Sequence, residues 1–338
     1  MRAEDFVQKE LSHRYDMLKV FSTILVVAAH STAMCRAGYI ESPSADTIFL
    51  HYITKFIYSF HMPLFIAVSG MVYSFCLRNS RYQDLKGFIH KKINRLLIPY
   101  YIWGLILVTP VVVCLGYTDM NLKKYMLSGI LLVRDSRHLW YIFCLFDIFL
   151  ICYVYQKIKG WIKHQVDERI ILLLLVVINL GSGYVTTAFA ARSTCYYLLF
   201  FYVGVLLDKY HAVIRLIAVK PAIVLLQLVI ICVFFMNEND AFIVVTALCG
   251  IGFIYALVNK MSMKICESRF FESLRRDGYG IYIFHPMIIY VMFYYTKQFQ
   301  VNRILLCICL AVASYFLSIM ISHLIRLCKL GFTIGESR

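Results

Sequence analysis

The chain has 338 residues, of which 61% are hydrophobic and only 16% charged, against about 25% charged in an ordinary soluble domain. With a mean hydropathy of +0.72, this composition excludes a soluble globular enzyme, a disordered chain and a coiled coil, and points to an all-α, polytopic integral membrane helical bundle. The formal net charge of +15, from 34 Lys and Arg against 19 Asp and Glu, reads as loops facing anionic lipid or an anionic cosubstrate rather than nucleic acid.

In chain order, Met1 to Tyr15 is polar, carries both charge signs and lacks the pattern of a cleaved signal peptide, so the first apolar run is expected to stay as an anchor. A bilayer core about 30 Å thick needs roughly 20 apolar residues per helix. Ten spans are predicted: Met17–Cys35, Ile53–Leu77, Leu96–Gly116, Leu139–Tyr155, Ile170–Val185, Thr194–Leu207, Ala222–Met236, Ala241–Val258, Tyr279–Tyr295 and Ile304–Ile325. Placing both termini (1–16 and 326–338) in the cytoplasm puts roughly three times as many Lys and Arg inside as outside, the bias that orients membrane proteins. Between the second and third spans, Tyr82–Arg95 reads as a short amphipathic interfacial helix, with Leu85, Phe88, Ile89 and Ile93 on one side and Lys86, Lys91, Lys92 and Arg95 around the other. Inside loops as short as Arg78–Arg95 and Lys260–Gly278 leave no room for a second domain. The 12 cysteines show no zinc-ligand spacing, and many lie in apolar runs, where they read as small packing residues.

Four ionisable groups inside these spans stand out: His30, His61, Asp147 and His285. Such groups are expensive in hydrocarbon and face a cavity or a partner. At 1.5 Å per residue, His30, His61 and Asp147 lie at one level, roughly 16–18 Å from the inner boundary, with His285 nearer the cytoplasm. A single intramembrane His is often a structural donor to a neighbouring helix. Asp147 is harder to dismiss, because an unpaired carboxylate there costs several kcal/mol or must be protonated. Its depth suggests that it holds His30 or His61 in one tautomer. A neutral imidazole suits general base catalysis and equally suits a proton-coupled transporter or glycan flippase, so both classes stay open at this point. Against the transporter stand the missing repeat and the missing matched pair of broken helices.

Five segments together resemble the acyltransferase 3 family of membrane-bound acyltransferases, which includes bacterial O-acetyltransferases of surface polysaccharides. They are Asp16 and Lys19 followed by ten residues and His30; Phe60-His61-Met62-Pro63-Leu64-Phe65 leading to Ser69-Gly70; Lys91-Lys92-Ile93-Asn94-Arg95 leading to Pro99-Tyr100; His138-Leu139-Trp140-Tyr141; and Tyr279 to Pro286 with Tyr282 and His285. The family's usual Arg is Lys19 here, which keeps the charge and loses the bidentate fork, so either Lys19 acts as a point charge or Arg14 or Arg36 takes its place.

The resemblance implies a membrane-bound O-acyltransferase of the bacterial inner membrane. It would use acetyl-CoA as cosubstrate and no metal, with a cell-surface or lipid-linked glycan as acceptor and membrane lipid around it. His30, Lys19 and Asp16 would be catalytic, with His30 as general base or transient acyl carrier. Arg95, Lys92, Lys91, Tyr100 and Arg78 would bind acyl-CoA, helped by Arg275 and Arg276. His61, Ser69, His138, Trp140, Tyr141, Asp147, Tyr282 and His285 would line or support the acceptor site. For any one loop cation, plain positive-inside topology is the competing explanation.

Overall fold

Apolar runs of this length satisfy their backbone in hydrocarbon by forming helix, and the computed structural model follows that rule throughout. It describes residues 3–37, 44–79, 84–161, 167–299 and 301–336. Among these residues every regular element is helical and there is no strand. The α-helices are α1 (Ala3–Cys35), α2 (Ala45–Tyr58), α3 (His61–Arg78), α4 (Leu85–Lys92), α5 (Ile98–Trp103), α6 (Thr109–Cys114), α7 (Leu122–Lys124), α8 (Trp140–Trp161), α9 (Glu168–Leu180), α10 (Ala191–Lys209), α11 (His211–Ala218), α12 (Pro221–Phe234), α13 (Asp240–Lys260), α14 (Arg269–Thr296) and α15 (Arg303–Leu327).

Seven helical runs are long and apolar enough to cross a membrane: Gln8–Cys35, Ala45–Arg78, Lys86–Cys114, Arg137–Ile158, Ala188–Lys209, Ala241–Lys260 and Arg303–Leu327. α11 and α12 are long and apolar enough only taken together and are bent by 79°, as in a broken span or a re-entrant loop. The 13 residues of α9 are fewer than a straight span needs, and α14 has the length but opens on Arg269, Glu272, Arg275, Arg276 and Asp277. Large apolar side chains lie outward on many of these helices, among them Leu173, Leu174 and Val177 of α9 and Leu305, Phe316 and Leu324 of α15. Water would penalise that surface and lipid does not. The chain is a multi-pass membrane protein. Its cysteines form no disulfide, and Cys232 and Cys309, expected to pack inside, sit on outward faces.

Several boundaries correct the sequence reading. The N-terminal segment is not a tail before the first span, because α1 runs unbroken from Ala3 to Cys35. The second span is two helices, broken at Ser59 and Phe60. Pro63, in the first turn of α3, has no N–H to carry the backbone ladder back across that break. The expected interfacial helix is not separate: α4 continues through a π-turn at Ile93–Leu97 into α5, and a second π-turn at Gly104–Val108 leads into α6. Each wide turn immediately precedes a proline-bearing helix start, at Pro99 and Pro110, where a normal turn would lack a donor and crowd the ring. Arg81 and Tyr82 lie outside the described residues. The expected loop Lys260–Gly278 is mostly helix, a 3-10 turn (Met263–Glu267) followed by the first turns of α14. Residues 326–336 also dock: Trp103 donates its indole N–H to the Thr333 carbonyl at 2.7 Å, and Arg326 pairs with Glu336 at 2.7 Å.

The chain forms two compact units, Met1–Phe75 with Val203–Met320, and Cys76–Tyr202 with Ile321–Arg338. In the first, Gly204 of α10 meets α3 so closely that an added Cβ would lie 1.9 Å from the Ala67 carbonyl oxygen, and Gly250 of α13 would meet the Phe60 Cβ at 2.2 Å. Buried Tyr15 donates its hydroxyl to the buried Asp208 carboxylate at 2.5 Å. In the second, Phe88 stacks on Tyr153 (ring centroids 4.5 Å), and Tyr100 donates its hydroxyl to the Ile130 carbonyl at 2.8 Å.

Candidate active site

Three contacts fix how α1 and α14 lie together. Asp16 faces Arg275 at 3.6 Å, Thr23 faces Gly278, and His30 meets His285. The residue numbers rise together on both helices, so the two run parallel. The ion-pair end and the histidine level are separated by eleven residues from Lys19 to His30, roughly 16 Å of helix.

At the histidine level, His285 is fully buried and its Nδ1 lies 2.7 Å from the Ile281 carbonyl. A carbonyl only accepts, so Nδ1 carries the proton and Nε2 keeps its lone pair. The His30 ring approaches His285 edge-on, with centroids 5.2 Å apart and planes at 63°. His30 is half-buried, so of the two rings it is the more open. His61 stands at the first position of α3, directly after the break, with Nδ1 3.0 Å from the Ile57 carbonyl and the Tyr58 ring 4.7 Å away. Tyr282, one turn before His285, stacks on Phe65 at 5.7 Å. Ser69 spends its hydroxyl on the Phe65 carbonyl at 3.1 Å. His30 and His285, two of the four intramembrane groups singled out in the sequence, thus meet within the first unit, with His61 one turn before Phe65 on α3, whose ring stacks on Tyr282. In both His285 and His61 Nδ1 is tied to the carbonyl four residues earlier, within α14 for His285 and across the α2–α3 break for His61, which leaves Nε2 as the basic nitrogen.

Near the middle of α1, Asp16 takes Lys19 at 2.9 Å and Arg275 at 3.6 Å. Arg275 also grips Glu272 through two hydrogen bonds, Nε at 2.9 Å and Nη2 at 2.5 Å. That hydrogen-bonded pairing holds the Glu272 carboxyl below its usual range and raises the Arg275 guanidinium further. Lys19 and Arg275 both remain exposed. Arg14 does not substitute for Lys19: it is buried and donates Nη1 to the carbonyls of Val258 (2.6 Å) and Met261 (2.9 Å), closing the end of α13. Arg36 is one residue past the opposite end of α1. The side chain that joins Lys19 is Arg275, which the sequence offered only as one more loop cation. Asp277, not singled out at all, is fully buried on α14, accepting from Ser273 at 3.1 Å and pairing with Arg276 at 3.4 Å. Its sequence neighbourhood of alternating charge looks like a loop, which hid it.

The remaining residues belong to the second unit. Arg78, Lys91 and Arg95 are exposed. Lys92 is buried, its ammonium 3.4 Å from the centroid of the Phe149 ring, a cation–π contact rather than an open cation. Tyr100 is buried with its hydroxyl committed to Ile130. His138 and Tyr141 are buried, and Trp140 stacks on Tyr197 at 5.0 Å. Asp147, expected beside a histidine, accepts a hydrogen bond from Thr194 of its own unit at 3.3 Å. Equal depth along two helices says nothing about which faces they turn to each other.

Residues 12–323 match the family model described as an acyltransferase domain, that of the acyltransferase 3 family. The match covers nearly the whole chain and both units, and the chain belongs to that family. No curated protein and no solved structure matches.

Proposed function

We propose that this acyltransferase 3 protein moves an acetyl group from cytoplasmic acetyl-CoA to a hydroxyl of a cell-surface or lipid-linked glycan, in the bacterial inner membrane. The family supports acyl transfer as the class of reaction. The observation that carries the rest is the edge-on His30–His285 pair, on parallel helices, with the Nδ1 proton of His285 tied to Ile281.

In this reading His30 is the catalytic base and His285 its positioning residue. The approach of the rings suits an N–H of His30 donating to Nε2 of His285, and in this reading the other His30 nitrogen takes the proton. The acceptor hydroxyl gives its proton to that nitrogen as its oxygen adds to the thioester carbonyl. The C–S bond then breaks, and CoA leaves as the thiol with the proton from His30. Such base catalysis contributes about 10²–10⁴ in rate. A two-step route, in which His30 itself carries the acetyl group, is distinguished by exchange of labelled CoA into acetyl-CoA without acceptor. Lys19 and Arg275, steadied by Asp16, offer two exposed cations to the CoA phosphates, and Arg78, Lys91 and Arg95 are further candidates.

Ten spans with both termini in the cytoplasm fit the packing. Parallel helices α1 and α14 need an odd number of crossings between them. Counting α9 and the bent α11–α12 pair as one crossing each makes that number seven and counting neither makes it five, so the parity requires that both cross or neither does; ten spans correspond to the first case.

The test is release of free CoA thiol from acetyl-CoA by the purified protein in nanodiscs, with and without a glycan acceptor. Wild type is expected to release CoA, faster with acceptor, and His30→Ala to lose at least about 100-fold. Wild-type protein that neither binds nor turns over acetyl-CoA would overturn the proposal.

A further inference from the structure

Between the runs Lys86–Cys114 and Arg137–Ile158 the chain folds back through α7 and a π-turn at Tyr125–Leu131. This segment joins two spans, so it lies at a membrane face. It encloses an open cleft of about 600 Å³ whose lining includes Lys123, Lys124, Arg134, Ser128, Leu127 and Leu132. The cleft is built. Tyr125 donates its hydroxyl to the Asp135 carbonyl at 2.7 Å, and Arg134 donates its backbone N–H to the Ser128 carbonyl at 3.1 Å. Gly129 lets the bend at residues 133–135 lie directly on the turn, since a Cβ there would be 3.2 Å from the Asp135 carbonyl. The far wall is held by the Phe189 N–H, 2.8 Å from the Leu132 carbonyl.

Its chemistry is one-sided. Lys123, Lys124 and Arg134 are all exposed, and among the described residues none of them is ion-paired. The neighbouring acid, Asp135, pairs with Arg137 at 3.6 Å instead. Leu127 and Leu132 are half or more than a third exposed beside these cations, at 50% and 36%. Three unneutralised cations beside outward leucines at a membrane face complement a group that is anionic at one end and apolar at the other.

We propose that this cleft is a binding site for an anionic phospholipid, with the phosphodiester between Lys123, Lys124 and Arg134 and an acyl chain along Leu127 and Leu132. The site is independent of the acyl-transfer reading, and its test reads lipid rather than turnover.

The experiment is native mass spectrometry of the full chain, exchanged between mixed micelles of phosphatidylglycerol and phosphatidylcholine. Wild type is expected to retain phosphatidylglycerol in preference, less so as salt rises. Each surface cation contributes roughly fivefold. Lys123→Gln/Lys124→Gln/Arg134→Gln is therefore expected to lower the preference on the order of 100-fold, and either Lys123→Gln or Arg134→Gln alone about fivefold, should the triple variant fail to fold. A charge-matched variant, Lys220→Gln/Lys260→Gln/Lys264→Gln, is expected to keep the wild-type preference. The proposal is overturned if the cleft variants retain phosphatidylglycerol as wild type does, or if the charge-matched variant loses as much. It is also overturned if glycerol 3-phosphate displaces the lipid at equal concentration, which would make the cleft a site for a soluble phosphate.

Discussion

Substituting alanine at two helical glycines should give opposite results. At Gly204 the new Cβ would sit 1.9 Å from the Ala67 carbonyl oxygen, 2.7 Å from its carbon and 3.0 Å from its Cα. All three are backbone atoms of α3, so no rotamer change relieves them. The helices must part by about 1.5 Å to restore ordinary contact near 3.4 Å, and neighbouring packing is lost along α3. Overpacking typically costs about 1–3 kcal/mol, and rigid backbone on both sides places this case at or above the upper end. At Gly278 the new Cβ would meet only the Thr23 hydroxyl, at 3.8 Å, so the helical preference for alanine, up to about 1 kcal/mol, should survive. Thermal unfolding in one detergent, followed by intrinsic fluorescence, reads both. Gly204→Ala should melt clearly below wild type, and Gly278→Ala at or above it. A Gly204→Ala protein as stable as wild type would refute the close approach of α10 to α3.

Arg14→Met should destabilise by about 3 kcal/mol or more, since two carbonyls at the end of α13 lose charge-assisted donors; unfolding with acetyl-CoA absent separates this from any effect on substrate. Lys92→Met keeps most of the volume in the aromatic slot and should leave stability within about 1 kcal/mol of wild type, with the KM for acetyl-CoA unchanged, whereas Arg275→Ala should raise that KM while leaving the melting temperature nearly unmoved, because its ion pairs are exposed. His285→Phe should lower kcat at least tenfold with little change in KM for acetyl-CoA. Initial rates over a range of acetyl-CoA concentrations test all three.

Most of the helices and the intramembrane histidines as individual residues were legible in the sequence, for a physical reason, whereas the meeting of His30 with His285, expected nearer the cytoplasm, was not. In hydrocarbon an apolar run of sufficient length has little choice but helix, and an imidazole within it needs a partner, so His30, His61 and His285 announced themselves. What hydropathy cannot read is azimuth. Asp147 shares a depth with His30, yet it turns to Thr194. Helix that continues beyond the apolar run was missed for a related reason. The charged first turns of α14 look like loop until Arg275 is seen beside Asp16, and the polar start of α1 looks like a tail. The prolines at 63, 99 and 110 were visible, but the consequence of each, a break or a π-turn, depends on what neighbouring helices supply to the freed backbone groups.

The central claim is that His30, held by His285, carries acyl transfer to a surface glycan. It is tested most directly by NMR of that glycan from a deletion strain complemented with wild type or with His30→Ala at matched membrane abundance. An O-acetyl signal that disappears on deletion, returns with wild type and stays absent with His30→Ala is the expected result. Full restoration of the signal by His30→Ala, or a deletion that alters glycan amount without altering any acyl signal, would contradict the claim.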